Sequence, residues 1–351
     1  MSNRPVNRSG SARRTRRRTR GFTLIELMVA MLLGLIVIAG VVSVFLAGQQ
    51  SYRTNQALGD VQDGSRIAFE MMARDIRDAG LTGCNNNGRV ANVLNNSPLG
   101  GGTAWWADMG NALHGYTTGQ ADPAIAFGTT SSPVTRVAGT DSLQLIGAVG
   151  AGLSVASTPA PTAANFHLND ATPDLATGDV IVVCDPDHAA IVQVTNYQSS
   201  NVTVVHQDGS GTPGNCSKGL GYPTVCTTNG NGYTFGANSQ VFKLGATDWF
   251  IGNSANAASG KSLYRMDVLN KAGTLTPTAL EMVPDVTDMK IAYHQQDGAS
   301  YGDATTVTNW ALVDAVQVTL TVQSTDQRAG TNVKPISRTF TATTTVRNRV
   351  K

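Results

Sequence analysis

From Phe22 to Leu46 nearly every position is apolar, and Glu26 is the only charge in those 25 residues. At about 1.5 Å per residue, a helix of that length crosses a hydrocarbon core of about 30 Å with some tilt. Beyond Leu46 the pattern narrows to a stripe. Leu58, Val61, Ala68, Met72, Ile76 and Ala79 recur at spacings of three, four or seven, and Asp60, Asp63, Arg66, Glu70, Arg74 and Asp78 take the opposite side. That periodicity predicts a half-buried helix, with Arg66–Glu70, Glu70–Arg74 and Arg74–Asp78 spaced to pair at i, i+4. Gly80 and Gly83 stop it. Together the stretches predict one rod of about 58 residues, near 87 Å long, with its lower half in lipid and its upper half (47–80) against a globular head. No proline interrupts it; Gly34, Gly40 and Gly48 are its flexible points, at about 1 kcal/mol each relative to alanine, and ordinary membrane-helix composition accounts for them equally well.

From Cys84 to Lys351 the periodicity shifts to two. Strands are predicted at Ser142–Ile146, Asp179–Cys184, Ile191–Thr195, Val202–His206, Gln240–Leu244, Ser262–Met266, Met289–His294, Ala315–Val322 and Arg338–Val346. Long loops separate them: Ser97–Thr103 followed by Trp105 and Trp106, then Ala156–Ala164, then Asp208–Asn231. The tryptophan pair reads as a contact surface or as packing beneath the loop. The expected fold class is α+β: a long N-terminal helix, membrane-spanning below and amphipathic above, packed on a mostly antiparallel sheet head at 84–351.

Upstream of the span, Met1–Arg20 holds eight arginines and no acid. Cations stay on the cytoplasmic side, so the single pass exports the head. A nucleic-acid arm is the rival reading of such a run, but its place directly before a span makes it a topology signal. A cleaved secretory signal would carry its small-residue site after the apolar run, whereas Gly21 lies before it. Removal of the leader takes eight of the 26 basic residues and none of the 24 acidic ones, turning a net charge of +2 into about −6.

Gly21-Phe22-Thr23-Leu24-Ile25-Glu26-Leu27, behind a basic leader and opening a full-length apolar helix, resembles the processing signature of type IV prepilins and pseudopilins. The resemblance implies that prepilin peptidase cuts between Gly21 and Phe22, discards residues 1–21 and methylates the Phe22 amine. Glu26 reads the same way from physical chemistry. A carboxylate in a bilayer helix costs about 2.5 to 3.5 kcal/mol at the centre and less near the interface, so it calls for a partner. The amine of a neighbouring Phe22 is one, and pairing the two fixes register between packed helices. The competing reading is a Thr23/Glu26 capping box favoured by the helix dipole. Major pilins of the resembled family commonly carry a proline in the membrane half, which this chain lacks.

Glu281–Tyr293 and Thr339–Arg349 are similar to the terminal strands of the large PilW-type minor pilins and their secretion-system relatives. The implied role is structural: a minor pilin that starts or caps a type IV pilus. The implied partners are other minor and major pilins, the prepilin peptidase, the inner-membrane assembly platform, a tip adhesin and membrane lipid. The implied location is the inner membrane and then the pilus. A type II secretion minor pseudopilin (J-like) shares the N-terminal logic but usually has a smaller head, and a signal-anchored periplasmic binding protein is the rival of another class.

Cys84, Cys184, Cys216 and Cys226 all fall on the exported side, where disulfides persist. Three pairings are possible. The short, glycine- and proline-rich interval between Cys216 and Cys226 suggests a local clasp, which leaves Cys84 to pair with Cys184. No Cys-x-x-Cys occurs, and His114, His167, His188, His206 and His294 are not at ligand spacing, so no metal is expected. The loop aspartates lack EF-hand spacing. Asp185-Pro186-Asp187-His188 reads as a turn, and no nucleophile-elbow, phosphate-loop or zincin motif appears. Neither enzymatic activity, cofactor nor nucleic-acid partner is expected.

Overall fold

The computed structural model describes residues 21–84, 88–347 and 349. The leader Met1–Arg20 therefore lies outside the described residues. The chain divides at Tyr52–Arg53 into two compact units. Helix α1 runs without interruption from Leu24 to Asp78.

In the first unit every residue from Gly21 to Gln49 is exposed. Among the described residues nothing covers the apolar surface of this stretch, which is what a helix made for lipid or for neighbouring helices requires.

The second unit is an α+β head. Eleven strands form the larger sheet: β1 (Val90–Asn92), β2 (Leu113–Tyr116), β3 (Ser142–Ser157), β4 (Asn165–Leu168), β5 (Val180–Cys184), β6 (Ala189–Gln193), β7 (Asn196–Gln198), β8 (Thr203–Val205), β9 (Gln240–Asn253), β10 (Lys261–Lys271) and β11 (Thr274–Pro284). Strand β9 is its spine, pairing with β3, β5 and β10. The smaller sheet is β12 (Val286–Gln295), β13 (Val313–Gln323) and β14 (Ser337–Thr345), in that order. All described pairs of strands are antiparallel except β1 with β6.

The nine predicted strands all lie within or across these elements. Two expectations need correction. Ala156 and Ser157 belong to β3 rather than to a loop. Of the three i, i+4 pairs expected on the helix surface, the structure forms Arg66–Glu70 at 2.9 Å; no described ion pair links Arg74 to Glu70 or Asp78. Leu58 is half-buried, and the fully buried stripe runs through Ala57, Val61, Ser65, Ala68, Met72 and Ile76.

That stripe is the floor of the main core. Val61, Ala68, Met72 and Ile76 pack with Leu143, Trp249 and Ile251 of the large sheet and with Met289, Val316 and Leu320 of the small one. Where α1 ends, the Gly80 N–H donates to the Ile146 carbonyl at 2.7 Å, and a Cβ on Gly147 would stand 2.3 Å from the Asp78 carbonyl oxygen. Asp75, on the flank of the stripe, accepts a hydrogen bond from Trp249 Nε1 (2.9 Å) and pairs with Arg265 (3.1 Å), which also meets Asp267 (3.2 Å). Burial raises the Asp75 carboxyl pKa against the opposing pull of Arg265.

Asp285 is the corner at which β11 passes into β12. Its φ of 60° is a left-handed conformation that aspartate tolerates better than bulkier residues. Its carboxylate accepts from Ser259 N (2.7 Å) and Thr325 Oγ1 (3.0 Å), tying one loop from each sheet.

A second buried polar group lies under the 117–141 loop. Arg136 is fully buried and donates to the carbonyls of Tyr116, Thr117, Gln120 and Thr140. Asp122 accepts from Ser142 Oγ, from Gln144 Nε2 (2.6 Å) and from Ala124 N (2.8 Å). Asp248 sits opposite Gln144 in the ladder, and neither of its oxygens has a partner if it is ionised. Burial raises its pKa well above the ordinary carboxylate range, and the Asp122 charge raises it further. Protonated Asp248 can donate to Asp122, leaving Arg136 to balance the one remaining charge.

The folded carboxyl keeps its proton at pH values where the unfolded one has lost it. The folded state therefore binds more protons, and this group's contribution to stability falls as pH rises above the ordinary aspartate pKa. Asp248→Asn keeps a donor toward Asp122 without that penalty. The variant is expected to melt at least about 2 °C higher at neutral pH and to show a flatter stability profile from about pH 5 to pH 7, followed by circular dichroism. A lower melting point would mean that Asp248 is ionised in the fold.

Candidate processing and assembly site

The site is built at the start of α1. Gly21, Phe22 and Thr23 precede the helix, which begins at Leu24. Thr23 is its N-cap: the Thr23 hydroxyl oxygen accepts from Glu26 N (3.3 Å), and the Thr23 carbonyl accepts from Leu27 N (3.1 Å). Glu26 thus stands at the third helical position, where the exposed N–H groups and the helix dipole favour a negative charge. The other half of the capping box, a bond from the Glu26 carboxylate back to Thr23 N, is not formed among the described residues. No described ion pair involves Glu26 either. Among the described residues the carboxylate therefore has no partner, one turn inside an apolar helix.

No described contact or backbone strain requires glycine at position 21. A Cβ there would meet nothing within 4 Å, and its φ is not in the left-handed region. Phe22 is 81% exposed. Among the described residues, none shields the Gly21–Phe22 bond and none requires glycine at this position.

The remaining candidate residues lie elsewhere. Cys84 bonds to Cys184, joining the segment after α1 to buried β5, and Cys216 bonds to Cys226 inside one loop. The five histidines are dispersed. His114 packs 4.3 Å from the Trp310 ring, His167 meets Thr203, His188 stacks on Tyr233 at 4.2 Å, and His294 meets Asp314 at 2.6 Å. His206 is buried, and burial pushes its pKa down to about 4. No group of three metal-type ligands occurs among the described residues. Asp185 caps its own turn by accepting from Asp187 N and His188 N, while the His188 Nε2 faces the Leu220 carbonyl. Trp106 is buried under its loop, and Trp105 packs beside it.

Asp75, Asp122, Arg136, Asp248 and Asp285, on which much of the head's polar bonding rests, are not singled out by sequence reasoning. Only Asp75 leaves a trace there, as a charge between Met72 and Ile76 on the apolar stripe.

The chain matches the prokaryotic N-terminal methylation motif over residues 16–42, a type IV pilin and pseudopilin signature. The match covers the leader's end, Gly21, Phe22, Glu26 and most of the exposed apolar helix. No curated protein matches the chain. The motif implies processing by prepilin peptidase and assembly with other pilins, and the apolar start of α1 suits a membrane anchor.

Thr23→Val removes the cap while keeping the shape. It is expected to cost about 1 kcal/mol at the first turn and to speed exchange of the Glu26 amide about fivefold in detergent-solubilised protein. Unchanged exchange would show that the hydroxyl does not hold this end.

Proposed function

We propose that this chain is a non-catalytic minor pilin of the PilW type. After cleavage between Gly21 and Phe22 it enters a type IV pilus and helps to initiate or cap the fibre. The observation that carries the reading is Glu26: a carboxylate without a partner among the described residues, fixed one turn into an apolar helix, five residues after a glycine at which a Cβ would meet no described atom within 4 Å. Cleavage frees a cation at Phe22, and in a bundle of low dielectric the carboxylate of one subunit neutralises the amine of its neighbour. The pair then sets axial register while residues 27–46 supply the packing surface. The head supplies contacts with other minor pilins, a tip adhesin and the inner-membrane platform. The head lies in the periplasm before assembly and near the fibre tip afterwards.

A type II secretion minor pseudopilin shares the same N-terminal signature. Recovery of the protein in sheared surface fibres supports the pilus, and its confinement to the cell envelope supports the secretion system.

The processed protein is expected to yield an N-terminal peptide that starts at methylated Phe22 by mass spectrometry. Glu26→Val is expected to leave that cut intact and to lower incorporation into fibres at least about tenfold, because a pair worth more than about 1.4 kcal/mol is lost at every contact. Wild-type incorporation of the valine variant would refute the register role, and an uncut terminus in fibres would refute the whole assignment.

A further inference from the structure

The four-residue β2, the three-residue β1 and β7, and the longer β11, β12 and β14 border the two sheets. An edge strand carries unpaired N–H and C=O groups that can recruit another strand, and proteins usually blunt such edges. Strands β1, β2 and β7 are too short to offer much. Strand β11 contains Pro277 and ends at Pro284. The open side of β12 is closed within the chain: the Met289 carbonyl accepts from Asp141 N (3.0 Å), Ile291 N donates to the Asp141 carboxylate (2.8 Å), and Tyr293 exchanges both of its backbone bonds with Gly302.

Strand β14 has none of these devices. Ser337–Thr345 contains no proline or glycine and one charge, Arg338. Its register with β13 is unbroken, Thr345 opposite Ala315 and Ser337 opposite Gln323. Just beyond the two ends, Val346 N donates to the Asp314 carbonyl and Ser324 N donates to the Ile336 carbonyl, both at 2.8 Å. Residues of an antiparallel strand alternate between bonding their partner and facing away. Even-numbered positions of β14 therefore bond β13, and Thr339, Thr341, Thr343 and Thr345 present their backbone N–H and C=O groups to the open side. No described backbone group answers them.

The side chains around this edge define the rest of the partner. The same four threonines are exposed, and Thr339 and Thr341 pair their hydroxyls with Thr321 and Thr319 at 3.2 and 2.9 Å. Lys334 and Arg338 stand at one end of the strand and Arg347 at the other, and none of the three has an ion pair among the described residues.

We propose that β14 is an acceptor edge that takes an extended strand from a different polypeptide, with acidic residues at the strand's flanks. Main-chain bonds to the outward threonine positions give the affinity, and Lys334, Arg338 and Arg347 select the acidic ends. The proposal holds whether or not the chain enters a fibre.

The test uses the full-length protein in detergent and a synthetic peptide of about eleven residues, alternating valine and threonine between paired aspartates. Residue-resolved hydrogen exchange is expected to slow about tenfold or more at Thr339, Thr341 and Thr343 when the peptide is added, while Phe340 and Ala342, already bonded to β13, change little. A peptide ended by paired lysines is expected to need at least about fivefold more to give the same protection. Thr341→Pro and the double variant Thr341→Glu/Thr343→Glu are expected to abolish the effect with melting temperatures close to wild type. The absence of protection in the wild-type chain overturns the proposal, as does equal protection by both peptides. Protection that appears without peptide and grows with protein concentration overturns it as well, because the occupant is then a second copy.

Discussion

The head is organised by the burial of one narrow helical stripe against two sheets at once. Val61, Ala68, Met72 and Ile76 belong to one buried core together with residues of both the β9 sheet and the β13 sheet, so the helix acts as common floor rather than as a flank. Burial of apolar area gives about 25 cal/mol per Å², and a residue shared by two sheets is covered on both sides. The polar bonds of Asp75 to Trp249 and Arg265 then fix rotation about the helix axis, which apolar contact alone leaves loose.

The same sequence element changes its solvent partway along. Up to Gln49 α1 is apolar and exposed, and from Ala57 onward it carries a buried stripe and a charged back. The charge at Glu26 belongs to the first regime and has no partner among the described residues, while Asp75 belongs to the second and is paired within its own fold. That contrast is the physical content of the proposed assembly role.

The helix and the N-terminal site were legible because their signals are local: an uninterrupted apolar run, a period near 3.6, a cap residue three before a glutamate. The long strands were legible from alternation. Strands β1, β2, β4 and β7 were not, because three or four residues hold too few alternations to count. Strand β11 was obscured by Pro277, which an edge strand accepts and a central one does not. The buried polar groups escaped for a different reason. Asp122 and Arg136 share the 117–141 loop, but Asp248 stands far along the chain on β9, and only the register of β3 with β9 sets it opposite Gln144, the partner of Asp122. A lone aspartate in a strand pattern gives no sign of whether it faces water or another carboxyl.

The Cys84–Cys184 bridge has a mechanical meaning. After Asp78 the chain leaves the helix through a glycine-rich turn held by single hydrogen bonds, including Gly80 N to Ile146 O. Tension applied along α1 meets the packed stripe first and that turn next. Cys84 follows the turn directly, so load that passes the turn enters β5 through the covalent link, and β5 lies between β6 and β9 with all five residues buried. The load is then shared between two ladders of the large sheet instead of passing only into the chain that follows Cys84.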